Sequence, residues 1–463
     1  MMNKQQRVLT QGSIVQNIWY LALPMMAGNV LQNLFSLVDM KFVGRVRPPV
    51  NVSVELLEDY RKSAIAAVSM SGLVLGILFV VIIGIYMGTT AMVARFIGAK
   101  KQADAENVAM QSLFLGLFCY AIIVFIGYPL ASLVLKTLGA TEDVIIHGAP
   151  YIKIMFLGSF TMILGVVLGS VLRAAGDAIT PLKTLVLSTV VNIILDPCLI
   201  FGWWRFPQMG VAGSALATVI ARGVGAFILL VIFLRGRAIV RLRAKNLRID
   251  LSTMWRIVKI GIFASIQGIL RSTSGIILMP IVATYGTSAV AAFGINMRLQ
   301  MVVMMPAFGL ATAASTLVGQ NLGANETKRA ERTAWITAAL GFAIMTAFAI
   351  LYISFSRSII SFFSTHPEVV KTGVNYMRIV AGTYGFVGLS IIIGRAFSGA
   401  GDTIPPMITT AVGFIGIRVS LALLFSAKMG LSGIWYGIAV STVIQGLIVS
   451  LWFNAGRWKL KQV

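Results

Sequence analysis

Residues 21–44 read LALPMMAGNVLQNLFSLVDMKFVG, a run apolar enough to enter a bilayer, with one carboxylate, Asp39, set near its end. Crossing roughly 30 Å of hydrocarbon takes about 20 helical residues. A charge held at that depth costs about 2.5–3.5 kcal/mol unless it finds a partner or a wet cavity. The same apolar character extends through all 463 residues, which are 58% hydrophobic and 11% charged, with a mean hydropathy of +0.89. A soluble domain with a solvated surface does not carry that composition, so the chain reads as an all-α integral membrane protein. Twelve apolar segments recur, at about 17–43, 64–94, 107–135, 147–171, 181–203, 210–234, 257–285, 288–318, 333–356, 372–396, 405–427 and 430–453. They are continuous rather than alternating at period two, which predicts helices and not barrel strands. The opening MMNKQQRVLTQGS is polar and leads into a run too long for a signal-peptide core, so no segment is expected to be removed.

A net charge of +23 invites a nucleic-acid reading. The placement of the charge argues against it. Roughly 22 of the 38 Lys and Arg fall at the N-terminus, in alternate loops and in the tail RWKLKQV. That is the positive-inside pattern, and it predicts cytoplasmic termini in a plasma membrane, the inner membrane of a prokaryote. The densest patch holds Arg235, Arg237, Arg241, Arg243, Lys245, Arg248, Arg256 and Lys259 between the sixth and seventh segments. It is either a topological anchor at anionic headgroups or a regulatory site. Cys119 and Cys198 lie in apolar segments without metal-like spacing and read as small buried residues.

The basic loop divides the chain almost in half, and the halves repeat. AIAAV at Ala64–Val68 matches AVAAF at Ala289–Phe293, at an offset of 225. At the same offset, Gly98-Ala99 with Ala105-Glu106 matches Gly323-Ala324 with Ala330-Glu331, and AGD at Ala175–Asp177 matches AGD at Ala400–Asp402. MGVAG at Met209–Gly213 matches MGLSG at Met429–Gly433 at 220. Six segments per half is an even number, so the two halves share one orientation and a pseudo-twofold axis along the membrane normal, as in many secondary transporters. The expected organisation is an N-lobe, 1–234, a basic linker, 235–256, and a C-lobe, 257–463. Gly98 and Gly323 are expected to cap the second and eighth helices, and the AGD loops to end the fourth and tenth, with proline opening the next helix.

The proline-led first segment, the AIAAV/AVAAF pair, ARFIGAKKQADAE and GQNLGANETKRAE, the AGD loops and NIILDP in the fifth segment occur in order and in duplicate. With these features the chain resembles the multidrug and toxic compound extrusion (MATE) family, within the superfamily that also contains lipid-linked oligosaccharide flippases. The likeness covers essentially the whole length. It implies twelve transmembrane helices in two six-helix lobes and export of organic solutes driven by inward flow of H⁺ or Na⁺. One departure is the loop RVRPPVNVSVELLEDYRK, longer and more charged than its counterpart TYGTS, which reads as an extracellular insertion.

Asn29, Gln32, Ser36 and Asp39 are spaced to form one polar stripe on the first helix, expected to face away from lipid. Asp39 either works there or simply meets the outer interface. In VVNIILDPCLIF of the fifth segment, Asn192 and Asp196 share a face one turn beyond Ser188. Asp196 either joins a site or caps a helix broken at Pro197. Topology puts Asp39, Asp196 and the early Ser214 and Thr218 of the sixth segment at similar depth. The resemblance converges on these residues: the DinF-like branch uses a first-helix acid, the Asn and Asp of NxxxD in the fifth and a Thr of the sixth, which map onto Asp39, Asn192, Asp196 and Thr218. Two neighbouring carboxylates with amide and hydroxyl oxygens suit Na⁺ or a proton.

The second half has no embedded acid, unlike the NorM branch, but carries Arg271, Arg298, Arg378 and Arg418, with Arg222 in the sixth segment. Arg378 is expected to snorkel to the outer end. The others are either structural or form a positive wall that admits anionic solutes. Met297, Gln300 and Met301, with Met304 and Met305, give the eighth segment a flexible apolar face. The expected function is cation-coupled antiport by alternating access, with Pro24 a candidate hinge. The alternatives are a flippase for a lipid-linked precursor and a channel. An enzyme is not expected, because only His147 and His366 occur, both in outer loops, with no nucleophile or metal constellation. The expected partners are a small organic solute and membrane lipids, with no nucleic acid, no cofactor beyond the coupling ion, and a monomeric state.

Overall fold

The computed structural model of the chain describes residues 8–46, 54–243 and 247–461, and every regular element among them is a helix. In chain order these are α1 (Ile14–Val43), α2 (Val54–Gly98), α3 (Gln102–Thr137), α4 (Glu142–Ala174), α5 (Ile179–Phe201), α6 (Val211–Leu234), α7 (Leu251–Ala283), α8 (Thr287–Gly323) and α9 (Thr327–Ser354). There follow α10 (Ser356–Phe363), α11 (Pro367–Ala381), α12 (Tyr384–Gly399), α13 (Ile404–Met429) and α14 (Leu431–Asn454). Eleven of these are long and apolar enough to span a membrane, and α11 with α12 makes a twelfth, bent by 51°.

The tenth segment is therefore not one straight helix. It breaks at Gly382-Thr383, where the Thr383 hydroxyl turns back onto the Val380 carbonyl at 2.8 Å. The short α10 and the start of α11 occupy what the sequence leaves as loop. His366 sits at the N-cap of α11, and His147 lies inside α4 rather than in a loop, edge-on to the Tyr60 ring at 4.7 Å. Part of the insertion after the first segment is also helical, because α2 begins at Val54; residues 47–53 lie outside the described residues, as does Lys245. Two helices, α3 at Ile123–Gly127 and α13 at Ala411–Ile417, contain a π-helical turn.

The repeat is written in the backbone as well as in the sequence. Left-handed φ angles occur at Lys100 and Asn325 (58° and 62°), at Gly176 and Gly401 (100° and 82°), and at Gly210 and Gly430 (57° and 59°). The first two pairs are 225 apart and the third 220, the offsets of the sequence matches.

α2 and α8 thus end at Gly98 and Gly323 as expected, while the left-handed turn that closes each falls two residues later, at Lys100 and Asn325. Gly98 and Gly323 are needed for a crossing. A Cβ on Gly98 would overlap the Gln320 backbone, one on Gly323 the Arg95 backbone, and one on Gly319 would sit 2.8 Å from the Ala94 Cβ. Positions 95 and 320, 98 and 323, and 94 and 319 are all symmetry mates at 225, so the pseudo-twofold axis runs through this crossing, the self-complementary geometry of a twofold interface.

The chain gathers into two compact units, one of Met1–Met26, Thr90–Lys101 and Lys259–Val463, the other of Ala27–Thr89 and Gln102–Val258. The units follow the chain halves except at the start of α1 and the end of α2. The crossing just described accounts for the second exception.

Within the second unit, the basic linker is held on α3. Arg243 pairs with the buried Glu106 at 2.9 Å, and Gln111 both donates to the Arg248 carbonyl at 2.8 Å and accepts from the Asp250 amide at 3.1 Å. Asp250 caps α7, accepting the Thr253 hydroxyl at 2.6 Å and its amide at 3.1 Å, and these bonds hold its carboxyl below the usual range. The tail of the first unit repeats the device, with Lys459 on Glu331 at 2.8 Å and Lys461 on Asp402 at 3.8 Å.

Candidate functional site

The polar stripe on α1 does not behave as one surface. Gln32 and Ser36 are exposed, Asn29 is half-buried, and only Asp39 is buried, at 9% exposure. The Ser36 hydroxyl turns back to the Gln32 carbonyl at 3.2 Å, as a hydroxyl in a helix does when it has no better acceptor.

Asp39 meets α6. That helix starts at Val211, directly after Gly210 takes a left-handed φ of 57°, and this turn brings Ser214 into the first turn of the helix. The Ser214 hydroxyl donates to Asp39 Oδ1 at 2.5 Å. Thr218, the residue the resemblance selects, is buried one turn further along and makes no hydrogen bond to either acid.

Asn192 and Asp196 are fully buried on α5, with Asn192 Nδ2 donating to Asp196 Oδ1 at 3.2 Å. Two oxygens beside that bond, Asn192 Oδ1 and Asp196 Oδ2, are buried with no hydrogen-bond partner. Pro197 does not end the helix, which runs on to Phe201 and stops at the left-handed Gly202 (φ 73°), so Asp196 is not a cap on a break. An acceptor left unsatisfied in the interior costs about 1–3 kcal/mol. Two of them side by side mark a place built for something that donates or coordinates.

The neighbourhood closes with two residues that sequence reasoning did not place. Asp196 is within electrostatic range of Asp39, and both are within range of Tyr151, a buried residue of α4. Arg222 of α6 interacts with Asp39 and Tyr151, lies over the Phe35 ring at 6.0 Å, and directs one N–H at the Met162 sulfur at 3.0 Å. A lone arginine in a span implies an acid partner, which is the signal that could have put Arg222 here instead of among the arginines of the second half. Tyr151 carries no such signal. Two carboxylates and one guanidinium leave a net charge of about −1, which matches one monovalent cation. All of these residues belong to the second unit.

The remaining candidates lie in the first unit. Arg271 and Arg418 both sit over the Phe414 ring, at 5.9 Å and 3.9 Å. Arg298 and Arg378 are exposed. Of the α8 residues, Met297 and Gln300 are half-buried, with the Met297 methyl packed toward Gly275, while Met301 is 65% exposed. Pro24 lies inside a continuous α1, two residues before the boundary between the units at Met26 and Ala27. Among the described residues no group of three or more His, Cys, Asp or Glu gathers in a way that could hold a metal ion. The donor set at Asp39, Asn192, Asp196 and Ser214 is all oxygen, which fits a hard monovalent cation or a proton rather than a transition metal.

A family model described as MatE matches residues 24–198 and 264–424. Among curated proteins, the chain is 30% identical to the probable multidrug resistance protein YoeA of Bacillus subtilis, over 100% of this chain and 99% of that one. It is 29% identical to the probable multidrug resistance protein NorM of Thermotoga maritima, over 96% and 93%. Its fold superposes on a transporter of the MOP superfamily from Pyrococcus furiosus with a TM-score of 0.89 at 23% identity, covering 100% of both chains.

Proposed function

The chain belongs to the MatE family, and on that premise we propose that it is a cation-coupled exporter of organic solutes of the DinF-like branch. The fold of this family has twelve membrane-spanning helices in two six-helix lobes. One observation carries the coupling reading: Asn192 Oδ1 and Asp196 Oδ2 are orphaned acceptors in a buried site that already holds a second carboxylate.

A proton on Asp196 Oδ2 supplies the missing donor. A Na⁺ ion supplies instead a coordination partner to both oxygens. Either one neutralises the net negative charge that remains after Arg222 is counted. Ser214 and Arg222 orient Asp39 and leave Asp196 to Asn192 alone, so that the two acids do not act alike. Arrival or loss of the ion moves the exporter between conformations only to the extent that one conformation binds it better.

The multidrug names of the relatives support an organic solute as cargo. The basic loops support a plasma-membrane location with both termini cytoplasmic. The repeat supports functional lobes at 1–234 and 257–463 with the linker 235–256 between them, and Pro24, which has no backbone N–H to give to the helix, supports bending in α1. The chain acts as a monomer.

Proteoliposomes with Na⁺ and H⁺ gradients imposed separately test the reading. Export driven by one gradient and lost in a folded Asp39→Asn protein supports it. Gradient-dependent export retained in that variant overturns the assignment. Movement of a fluorescent lipid-linked probe without either gradient replaces it with a flippase.

A further inference from the structure

The spans of the first unit carry cations but no embedded acid. Beyond residue 259 the only acids are Glu326, Glu331, Glu368 and Asp402. All four lie at helix ends or in loops, and Glu331 and Asp402 are already paired with Lys459 and Lys461. Arg271, Arg395 and Arg418 nevertheless come together, Arg271 within electrostatic range of both others. Like charges at close range in a medium of low polarity repel strongly unless an anion joins them.

Arg271 is not a residue reaching for the membrane surface. It lies 12 residues before the end of α7 at Ala283, about 18 Å at 1.5 Å per residue, beyond the span of one side chain. The exposed face of α7 is the apolar stripe Ile262, Ile266, Ile269 and Ile276. Arg271 falls on the opposite face with Gln267, which donates to the Pro406 carbonyl at 3.2 Å and to the Thr410 hydroxyl at 3.1 Å and so fixes α7 against α13. Arg271 as a residue is half-buried, and its guanidinium makes no hydrogen bond to any described residue. Arg418 is braced instead, with Nε on the Ser441 hydroxyl and Nη2 on that of Thr442, each at 3.0 Å, and its plane over Phe414.

We propose that Arg271, backed by Arg418 at the same Phe414 ring, receives an oxyanion group of the transported solute, a carboxylate, sulfonate or phosphate. The planar donors of Arg271 meet such a group two at a time, and Arg418 adds field without surrendering its own bonds. The inference rests on the exporter reading for the word solute, but not on its coupling ion. It also separates the arginines: Arg271 and Arg418 act together, and the exposed Arg298 does not.

Equilibrium binding to the purified full-length protein in detergent tests it, read by fluorescence anisotropy of fluorescein as the anion and ethidium as the cation. Arg271→Gln should weaken fluorescein binding by about tenfold or more, the loss of a charge-assisted bond, and leave ethidium binding within about twofold. Arg271→Lys, which keeps the charge but not the paired donors, should recover part of the loss, and Arg298→Gln should show none. Equal loss of both probes, unchanged fluorescein binding in Arg271→Gln, or no fluorescein binding by the wild-type protein overturns the proposal. Competitors distinguish the sources of the oxyanion. Displacement by benzoate assigns a soluble organic anion, displacement by dodecyl phosphate alone assigns a lipid-linked phosphate, and displacement by neither overturns the site. No gradient is applied, so failure of the coupling-ion reading leaves this measurement standing.

Discussion

Replacing Gly323 with alanine places a methyl group against the Arg95 carbonyl, 2.9 Å from the carbonyl carbon and 2.9 Å from the Ala99 nitrogen. Replacing Gly98 does the same on the mate helix of the crossing, with the new Cβ 2.6 Å from the Gln320 carbonyl carbon and 2.7 Å from its Cα. Ordinary carbon contacts lie at about 3.5–4.0 Å, so the two helices must part by about 1 Å, and neither offers a flexible side chain to yield. Overpacking of this kind costs about 1–3 kcal/mol. Charged against the closed crossing alone, that shifts the balance between closed and open by about 5–150-fold. The crossing lies at the end of α2 and α8 that the basic loops assign to the cytoplasm, so the open form should admit reagent from that side. Ser315, 3% exposed and packed where Gly399 leaves no room for a Cβ, is the reporter. With Cys119 and Cys198 replaced by alanine, Ser315→Cys in inside-out vesicles should react with a membrane-impermeant maleimide about 5–150-fold faster in either glycine variant. Symmetry demands similar effects from both. An unchanged rate in both, or acceleration by one alone, would mean that the glycine crossing does not hold the cytoplasmic side closed.

Ser214→Ala removes the donor on Asp39 and should change the half-saturating coupling-ion concentration of export by about tenfold or more, whereas Thr218→Ala should change it by less than about threefold; dose–response curves in proteoliposomes check both. Arg243→Ala strands the buried Glu106 and should cost about 2 kcal/mol, below the range for a fully buried pair because Arg243 is half exposed, while Lys459→Ala should cost under about 1 kcal/mol; thermal unfolding in detergent separates them. Burial pushes the Asp402 carboxyl above the usual range, with Lys461 opposing. An acid raised on folding stabilises the fold below its ordinary range and loses that contribution as pH rises through the folded value, so Asp402→Asn should raise the melting temperature near pH 8 and have no such effect near pH 4.

The membrane class, the helical form of the spans and the twofold repeat are legible in the chain because each rests on local composition or on spacing. Apolar runs of about 20 residues have few alternatives in lipid. The offset of 225 survives into structure as paired left-handed turns at Lys100 and Asn325 and at Gly176 and Gly401. The same local logic places the helix ends at Gly98 and Gly323 but misses the crossing there, since a glycine at a helix end looks the same whether or not another backbone lies against it. It also misses the break at Gly382-Thr383, where no proline announces the bend.

Which polar groups meet is a matter of packing between helices. The order of residues is enough to show that Asn192 and Asp196 share a face, because they are one turn apart on one helix. It could not determine that Ser214, 175 residues from Asp39, and not Thr218, supplies the hydroxyl. One helical turn separates the two candidates, about 5.4 Å, and that choice depends on how α6 is set against α1. Nor could it separate Arg222, which stands by the acids, from Arg271 and Arg418, which share the Phe414 ring. Charge in a span announces that a partner is required, because lipid offers none; the identity of the partner is a distance between helices, and distances between helices are not written in any one of them.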